Sequence, residues 1–517
     1  MATKEKDMFA KVNSVGLLGL KAFIVNVETD LSKGVPRFDI VGLPDSSVSE
    51  SKERVRAAIK NSGYTFPISR ITTNLAPAEY KKEGSVYDLP ILIGVLIASH
   101  QINFNSENML FIGEVSLNGD IKAIRGVLPM VLEARKNKFQ QIFIPYENRI
   151  EASVVDKIQI FPVKTINDLI NHLNNKSPLS PLTPLPFDVA EQCKNLPDFA
   201  DVKGQYKAKR ALEVAASGGH NILMIGPPGS GKSMLAKRLP TILSDMTFEE
   251  AIETTKIYSV AGALSPDTPI ISSRPFRSPH HTISAAGLAG GGSIPRPGEL
   301  SLAHNGVLFL DELPEISKSA METMRQPIED NKVVVSRVSG TFCYPCNIML
   351  VCAMNPCPCG YFGHPKKQCT CPPGAPAKYL SKISGPLLDR IDIHMEVSPV
   401  KYDDLSKKSI EETSLSIKKR VDETKKIQKE RFKNLPFSFN ANMDIKALDK
   451  FCVMTDGARK MLKFSFDKLS FSARAYSKIL KVSRTIADMD RSEKIDENHI
   501  AEAIQYRSLD RKFWSAN

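Results

Sequence analysis

Residues 220–235, which read H-N-I-L-M-I-G-P-P-G-S-G-K-S-M-L, set the architecture expected of this chain. Residues 222–225 form a short apolar run, typical of a buried parallel strand. Residues 226–233 complete the phosphate-loop pattern G-x-x-x-x-G-K-S, and residues 234–243 read as a helix. The glycines let backbone amides converge on phosphate oxygens, and the dipole of the following helix favours an anion there. The stretch therefore predicts a phosphate site between a strand and a helix.

The loop and a later acidic strand together predict a magnesium-dependent nucleotide site. Lys232 supplies a point charge for the β- and γ-phosphates, and the Ser233 hydroxyl is a Mg²⁺ ligand. Residues 306–312 read G-V-L-F-L-D-E, a buried strand that ends in two carboxylates. Asp311 is expected to hold Mg²⁺ with Ser233, and Glu312 to polarise the attacking water. The predicted nucleotide contacts in the loop are Gly226, Pro227, Pro228, Gly229, Ser230, Gly231, Lys232 and Ser233.

The composition is that of a soluble, basic protein. Apolar residues make up 42% and charged residues 24%, the balance of a globular chain, and 517 residues suffice for two to four domains. The net charge of +12 favours a polyanionic partner, nucleic acid above all, or an anionic membrane surface. The N-terminus has no apolar signal core, and the longest apolar run, residues 89–98, is too short to span a bilayer. We therefore expect a cytoplasmic protein with no membrane partner.

The first third of the chain reads as a separate α/β domain. Residues 1–9 are expected to be disordered, and residues 10–173 to form the domain. Residues 174–200 are expected to be a linker, because four prolines fall within residues 174–187. The predicted strands are 15–18, 22–27, 37–41, 70–74 and 141–144, and the predicted helices are 49–62, 88–99 and 127–137.

Two segments of this domain carry a family resemblance. Residues 111–121 (F-I-G-E-V-S-L-N-G-D-I) and 141–148 (Q-I-F-I-P-Y-E-N) resemble the proteolytic domain of Lon proteases and its ribosomal-protein-S5-like relatives. The resemblance places the nucleophilic serine at Val86 and the lysine within residues 125–130, which contain none. Without a nucleophile and its base, peptide hydrolysis has no chemistry, so the domain is expected to be a scaffold for assembly or DNA contact.

A fallback pair stays open in the same domain. Ser85, with Lys81 or Lys82, has the residue types of a serine–lysine dyad and lies beside Val86. A contact between the Ser85 hydroxyl and either ammonium group would be needed for that chemistry.

The remaining ATPase residues are assigned by strand order and by resemblance. We expect an ATPase core over residues 201–400, a basic connecting helix over 401–434 and a helical lid over 435–517. Asn355 follows the apolar strand 346–354, where a polar residue can hold the attacking water. Residues 385–392 (G-P-L-L-D-R-I-D) resemble the arginine-finger segment of AAA+ rings, which directs Arg390 to a neighbour's γ-phosphate. Arg474, at a helix start, matches a sensor 2 arginine acting in cis.

Four further motifs make the resemblance specific. They resemble the YifB/ComM family of magnesium-chelatase-like AAA+ proteins: F-R-S-P-H-H at 276–281, G-G-G at 290–292, P-G-E-L-S-L-A-H-N-G at 297–306 and A-M-N-P-C-P-C-G at 353–360. The resemblance implies a P-loop AAA+ module, with a parallel sheet, flanking helices and a C-terminal helical lid, preceded by the S5/Lon-like α/β domain. It also implies an Mg-ATPase that forms hexameric rings. The best-described branch of the family is a DNA helicase that drives branch migration in natural transformation.

Two segments are candidates for DNA contact. Residues 332–342 alternate in polarity and turn at Ser339–Gly340, the signal of a hairpin. Lys332 and Arg337 are the candidate phosphate contacts, and a hairpin that braces a subunit interface is the alternative. His280 and His281, with Arg277, belong to a Gly-rich insertion and line the pore or act as loop polar groups.

A cysteine cluster predicts a structural zinc site. Four soft ligands within fifteen residues, in the pattern C-x-C…C-x-C, suit tetrahedral Zn²⁺, whereas reduced loop cysteines are the alternative. Cys343, Cys346 and His364 are spare ligands. The predicted ligands are Cys357, Cys359, Cys369 and Cys371.

These features leave three classes of function to compare. The first is an ATP-driven hexameric motor on single-stranded or branched DNA, acting as a helicase or in branch migration. The second is a chelatase-like or MoxR-like ATPase that remodels a protein partner. The third, an ATP-dependent protease, is disfavoured by the missing dyad.

Overall fold

The computed structural model describes residues 8–186, 197–292, 295–337, 340–399, 411–469, 472–507 and 509–514. These residues form two units, which are described separately. The first draws on 1–188, 248–271 and 335–344, and the second on 189–247, 272–334 and 345–517. Most of the predicted N-terminal segment, residues 187–196 of the predicted linker and residues 401–410 of the predicted connecting helix lie outside the described residues. No helix in the described ranges is long and apolar enough to cross a membrane.

The helices and strands are numbered along the chain. The strands are β1 (Phe9–Leu18), β2 (Lys21–Ser32), β3 (Arg37–Val41), β4 (Arg70–Ala76), β5 (Met109–Phe111), β6 (Glu114–Val115), β7 (Ile121–Lys122), β8 (Gln141–Pro145), β9 (Gln159–Val163), β10 (Ile222–Ile225), β11 (Phe276–Arg277), β12 (Gly290–Gly291), β13 (Arg296–Pro297), β14 (Val307–Leu310), β15 (Lys332–Arg337), β16 (Gly340–Pro345), β17 (Met349–Met354) and β18 (Ile393–Glu396). The helices are α1 (Ser46–Asn61), α2 (Asp88–Ala98), α3 (Val127–Lys136), α4 (Arg149–Ala152), α5 (Ile166–Leu173), α6 (Tyr206–Gly218), α7 (Lys232–Arg238), α8 (Phe248–Ala261), α9 (Ala285–Ala289), α10 (Glu299–Leu302), α11 (Lys318–Thr323), α12 (Arg325–Asp330), α13 (Ala375–Leu380), α14 (Gly385–Leu388), α15 (Ser414–Arg431), α16 (Ile445–Phe451), α17 (Asp456–Leu469), α18 (Ala473–Met489), α19 (Glu497–Gln505) and α20 (Leu509–Trp514).

The first unit is built on a seven-stranded sheet in the order β3-β4-β2-β1-β5-β8-β9. Strands β1, β2 and β4 pair antiparallel, and the other neighbours pair parallel. Helix α2 carries the apolar run of the sequence, and all but one of its residues are buried. Helix α1 begins earlier than predicted, because the Asp45 carboxylate caps it by accepting from the Val48 amide. Strands β5 and β9 were not predicted.

The proline-rich segment is bonded to the first unit over its described part. The backbone amide of Leu182 donates to the Ile160 carbonyl at 2.8 Å, and that of Leu185 donates to the Ser153 carbonyl at 2.9 Å. Residues 178–186 form no helix or strand, as expected of a proline-rich linker. Its amides are satisfied by neighbouring carbonyls and not by solvent alone.

Two segments that were predicted within residues 201–400 fold with the first unit. Helix α8 packs on α3, and the Ser259 hydroxyl donates to the buried carboxylate of Glu151. Residues 335–344 supply Phe342, whose ring lies 3.2 Å from a Cβ built on Gly19. Because Gly19 has a φ of +62°, a side chain there would meet both strain and this ring. The position therefore suits glycine.

The second unit is built on a five-stranded parallel sheet in the order β11-β14-β17-β10-β18. Every residue of strands β10 and β14 is buried. Their continuous apolar sequences predicted this, because strands of a parallel sheet are covered on both faces. Strand β17 begins three residues later than the predicted strand 346–354. The three central strands β14, β17 and β10 end at one edge of the sheet, and residues that follow them share that edge.

Helices α15 to α19 form the C-terminal part of the second unit, close to the predicted helices. The predicted helix 234–243 is shorter, because α7 ends at Arg238 and Pro240 follows in a 3₁₀ turn. Two short helices, α11 and α12, lie between β14 and β15. Strands β15 and β16 pair as the predicted hairpin, and its turn at Ser339 lies outside the described residues.

Candidate nucleotide site

The carboxyl edge of the second sheet gathers the predicted phosphate, magnesium and water-positioning residues. The phosphate loop follows β10, Asn355 follows β17, and Asp311 and Glu312 follow β14. Because β10 and β14 both pair with β17, these three chain ends are neighbours. Open parallel sheets bind ligands at this edge, so the sheet itself positions the site.

Lys232 is held at the centre of the loop. Its Nζ donates to the Gly226 carbonyl at 2.8 Å, to the Pro227 carbonyl at 3.0 Å and to Asn355 Oδ1 at 3.2 Å. Burial lowers the pKa of Lys232, and the Asp311 carboxylate acts in the opposite direction. The contact with Asn355 ties the candidate water-holding residue to the phosphate loop.

The predicted magnesium ligands are in contact. Ser233 Oγ donates to Asp311 Oδ2 at 2.7 Å. The other Asp311 oxygen accepts from the Glu312 amide at 2.9 Å, and the Glu312 backbone is in the left-handed region with φ +50°. Mg²⁺ binds oxygen ligands in proteins. The Ser233 hydroxyl and the Asp311 carboxylate, which are in contact beside the phosphate loop, are ligands of this kind.

The shape of the loop fits a phosphate chain. Gly229 and Gly231 have φ of +73° and +91°, and a Cβ on either would meet no atom within 4 Å. The backbone there is left-handed and open, so its amides can face an anion without a side chain in the way. Gly226 is different, because a Cβ on it would come within 2.3 Å of the Val397 carbonyl. Its small size is needed for packing against the end of β18.

Gln205 contacts the phosphate loop and was not predicted as a site residue. Its Nε2 donates to the Ser230 carbonyl at 3.0 Å and to the Ser398 carbonyl at 2.7 Å, and its backbone is left-handed with φ +57°. Gln205 lies in the turn directly before α6, and the preceding Gly204 has a φ of +65°. Gly204 was the local signal of a turn at this point in the sequence.

A buried ion pair supports the same turn. Lys209 Nζ lies 2.7 Å from Glu411 Oε2, and both side chains are less than 10% exposed. Glu411 also accepts from the Gly204 amide at 3.2 Å. Because the two charges are buried together, each compensates the other, and the pair holds the turn to the segment that carries Glu411.

Arg390 lies at the opposite edge of the sheet from the phosphate loop. Its carbonyl accepts from Asn221, the residue before β10, and its guanidinium lies 2.5 Å from Glu329 Oε1. Strand β10 separates this edge from the loop by roughly 13 Å, at about 3.3 Å per residue.

The structure does not bring Arg474 to the phosphate loop of its own chain, where a sensor acting in cis would be needed. Its guanidinium lies 3.3 Å from Asp389 Oδ2, next to Arg390. Both arginines line one cavity of about 870 Å³ at the amino edge of the sheet, and no phosphate-loop residue lines it. The reason is the position of α18, which is anchored by Lys478 to Asp392 before β18.

Cys357, Cys359, Cys369 and Cys371 come together as predicted. One sulfur from each lies within 4.8 Å of the others, and the Cys359–Cys369 sulfurs are 3.5 Å apart. Four sulfurs at 2.3 Å from one tetrahedral ion would lie roughly 3.8 Å apart, so the donor set fits Zn²⁺. The spare ligands Cys343, Cys346 and His364 are not part of this group. The His364 ring instead accepts from the amides of Lys366 and Lys367.

The predicted DNA-contact hairpin is only partly described. Lys332 is exposed at the start of β15. Arg337 ends that strand, and its side chain lies outside the described residues. In the insertion, Arg277 forms a bidentate ion pair with Glu299, with both bonds at 2.7 Å.

The fallback dyad in the first unit is not formed. The Ser85 hydroxyl donates to the Glu114 carboxylate, and the Lys82 ammonium donates to the Pro77 carbonyl. Lys81 is paired with Glu83 at 3.4 Å. Val86, at the position expected for the nucleophile, is buried. Neither lysine ammonium contacts the Ser85 hydroxyl, so the arrangement needed for a serine–lysine dyad is absent at these positions.

Three matches to known families cover most of the chain. Residues 198–405 match "Magnesium chelatase, subunit ChlI", residues 27–148 match "Subunit ChlI of Mg-chelatase", and residues 411–507 match "Magnesium chelatase, subunit ChlI C-terminal". Together they cover parts of both units.

Individual relatives agree with these matches. Lon protease 2 of Bacillus subtilis is 32% identical over 149 residues, 26% of each chain. Competence protein ComM of Haemophilus influenzae is 40% identical over 509 residues, and YifB of Escherichia coli is 40% identical over 502 residues; both alignments span 97% of each chain. The chain therefore belongs to the YifB/ComM family of magnesium-chelatase-like AAA+ proteins.

Proposed function

We propose that this protein is a magnesium-dependent ATPase whose hydrolysis site is completed between subunits of a ring. The observation that carries the proposal is the meeting of Lys232, Ser233, Asp311 and Asn355 at one sheet edge, through contacts of 2.7 to 3.2 Å. Membership of an AAA+ family supports ATP and Mg²⁺ as its ligands.

Each residue has a separate task in hydrolysis. The amides of residues 226–233 and the Lys232 ammonium bind the phosphates, and Ser233 with Asp311 would hold Mg²⁺, which neutralises phosphate charge. Glu312 takes a proton from the attacking water, and Asn355 orients that water. Phosphoryl transfer gains most of its rate from such positioning and charge neutralisation.

Arg390 and Arg474 complete the site of the neighbouring subunit in this proposal. Both lie at the sheet edge opposite the loop, on one cavity with Glu329 and Asp389. A charge there cannot reach the γ-phosphate of its own chain across the sheet, whereas a head-to-tail ring presents it to the next subunit. The hexamer implied by the sequence motifs has this arrangement.

We further propose DNA, single-stranded or branched, as the substrate on which the motor acts. The net charge of +12 supports a polyanionic partner, and the relative ComM is named a competence protein. Helicase or branch-migration activity in natural transformation or recombination, within the cytoplasm and away from membranes, is the corresponding role. Lys332, exposed on the hairpin, and Arg337 are the proposed phosphate contacts.

Structural Zn²⁺ is proposed for the four-cysteine group. Its sulfur spacing and thiolate chemistry support a closed tetrahedral site, which leaves no position for a catalytic water.

A protein-remodelling ATPase of the chelatase or MoxR type is the second candidate. The matches to the ChlI subunit of magnesium chelatase favour it, because that family name belongs to a chelatase. The ATPase core is the same in both proposals. They differ only in what stimulates ATP turnover, which is DNA in the first and a protein partner in the second.

The test is ATP turnover by the full chain with single-stranded DNA, with branched DNA and without DNA. Stimulation by DNA, with binding that weakens steeply as salt rises, is expected because phosphate contacts release counterions. Turnover without DNA binding or stimulation at low salt would favour the remodelling ATPase. Absence of ATP turnover under all conditions would contradict both.

A further inference from the structure

A histidine of the Gly-rich insertion contacts the glutamate that follows the Asp311 magnesium ligand. His281 Nδ1 lies 3.2 Å from Glu312 Oε2. The two side chains are 35% and 53% exposed, so the pair lies at the surface of the site and not in the core. The contact joins a segment that follows β11 to the carboxylate that follows β14.

The backbone of Glu312 directs its side chain but does not fix it. The left-handed conformation of Glu312 and the bond from its amide to Asp311 set the direction in which Cβ leaves the chain. A glutamate has three further rotatable bonds, whose freedom costs entropy to restrict. An exposed glutamate therefore needs a side-chain partner if its carboxylate is to stay in one place.

The insertion offers a well-held partner. Strand β11 pairs in register with β14, which ends at the catalytic acids, and Arg277 is clamped by Glu299. The ring of His280 lies 4.1 Å from that of His281, centroid to centroid, and His280 Nδ1 contacts Thr282 Oγ1 at 2.9 Å. His281 and Glu312 therefore both follow strands of the same sheet, and these contacts restrict the position of His281.

We propose that His281 is the positioning residue of Glu312, in the ATP hydrolysis proposed above. In this role the Nδ1–H group, which lies 3.2 Å from Oε2, turns to donate to that oxygen and leaves Oε1 to act as the base. As the water oxygen bonds to the γ-phosphorus and the bond to the bridging oxygen of ADP breaks, the water proton passes to Oε1. His281 keeps its own proton throughout and acts only by orientation, much as a buried acid orients a catalytic histidine in other enzymes.

The consequence extends to regulation. Since His281 belongs to the insertion that includes β12 and β13, a ligand that shifts this insertion changes the orientation of Glu312. The rate of ATP hydrolysis then changes when a ligand binds the insertion, although the phosphate loop itself does not move.

The test compares His281→Ala with His281→Asn in the full-length protein. The asparagine Nδ2 can take the place of the imidazole Nδ1 donor, whereas alanine removes it. We expect kcat of His281→Ala to fall about tenfold or more, as for a displaced catalytic group, with the Kd for a non-hydrolysed ATP analogue within about twofold of wild type. His281→Asn should recover most of kcat. Arg296→Ala, an exposed change in the same insertion, is the matched control and should hydrolyse ATP like wild type.

Three results would overturn the positioning role. They are a wild-type kcat in His281→Ala, a His281→Asn variant no better than alanine, or equal losses of kcat and nucleotide affinity. Failure of the wild-type protein to hydrolyse ATP is a different outcome, since it contradicts the proposed ATPase itself together with this inference.

Discussion

Gly360 lies directly against Pro228, so that a Cβ built on Gly360 would come within 2.3 Å of the Pro228 Cδ atom. Gly360 follows Cys359 of the four-cysteine group, and Pro228 belongs to the phosphate loop. The segment that carries the proposed zinc site therefore packs on the segment that binds phosphate. We therefore expect a displacement of one segment to move the other through this contact.

Gly360→Ala is expected to weaken ATP binding about tenfold, since the new methyl group pushes on the phosphate loop and close overpacking costs about 1–3 kcal/mol. Gly374→Ala is the matched control. Its φ of +81° is close to the +83° of Gly360, but a Cβ there meets no atom within 4 Å. Both changes carry backbone strain, and only the first carries the clash. Fluorescent-nucleotide titration of the two variants measures the difference, and equal affinities would contradict the coupling.

The four-cysteine group should hold one zinc ion per chain in the purified protein, as measured by elemental analysis. Cys359→Ser and Cys371→Ser each remove a ligand and should lower the zinc content several-fold or more. Cys343→Ser, an exposed cysteine outside the group, should leave it unchanged. Full ATP turnover by a wild-type protein that contains no zinc would rule out a structural role for the metal.

Glu312→Gln should bind ATP and hydrolyse it at least a hundredfold more slowly, because the amide cannot take the proton of the attacking water. Glu315→Gln, three residues on and paired with Lys382 at 3.1 Å, is the control and should keep turnover. Single-turnover hydrolysis and analogue binding measure the two properties separately. Near wild-type turnover in Glu312→Gln would show that another residue is the base.

Much of the site could be predicted because its residues follow buried strands. Asp311 and Asn355 each come directly after an apolar run, and parallel strands place their carboxyl ends at one edge. The strand order β14-β17-β10 could not be read from the sequence. It was not needed, because polar residues that follow buried parallel strands meet at the carboxyl edge of the sheet whatever the order. Strand β3 was predicted with its observed bounds, because Pro36 and Gly42 bracket it.

The remaining features depend on contacts between distant parts of the chain. The hydrogen bond between Ser259 and Glu151 joins residues 108 positions apart in the sequence. No local sequence pattern near either residue predicts that α8 folds with the first unit. Arg474 was assigned to its own phosphate loop from its place in the sequence alone. The location of its helix depends on Lys478 and Asp392, a buried pair that periodicity cannot reveal.

Arg390 should act on the neighbouring subunit, and a mixing experiment tests this. Lys232→Ala should lose ATP binding, and Arg390→Ala should bind ATP but hydrolyse it about a thousandfold more slowly, as for other arginine fingers. A mixture of the two variants should recover hydrolysis, because some sites combine an intact loop with an intact arginine. A mixture of Lys232→Ala with Asp311→Asn should not, since both changes damage the same side of the site. No recovery in the first mixture would mean that Arg390 serves its own chain or that no ring forms.

The buried pair that anchors α18 should be important for stability. Asp392 Oδ1 lies 2.7 Å from Lys478 Nζ, and Oδ2 lies 3.1 Å from His220 Nδ1. Asp392→Ala leaves the lysine unpaired and should cost about 2–3 kcal/mol, toward the low end for buried pairs because Lys478 also borders a cavity. Glu423→Ala removes an exposed ion pair with Arg491 and should cost less than about 1 kcal/mol. Urea unfolding at neutral pH measures both.

The same pair predicts how stability depends on pH. Burial alone would raise the pKa of Asp392, but the Lys478 ammonium and the hydrogen bond from His220 outweigh burial and hold that pKa below its usual range. The ionised carboxylate therefore contributes stability that is complete above about pH 4, near the unfolded-state pKa, and that declines as pH falls toward the lower pKa of the folded chain. The free energies of unfolding of wild type and Asp392→Ala should accordingly converge as the pH is lowered below about 4. A difference that stays constant over that interval would show that Asp392 keeps the same charge in both states, and that its contribution comes from packing.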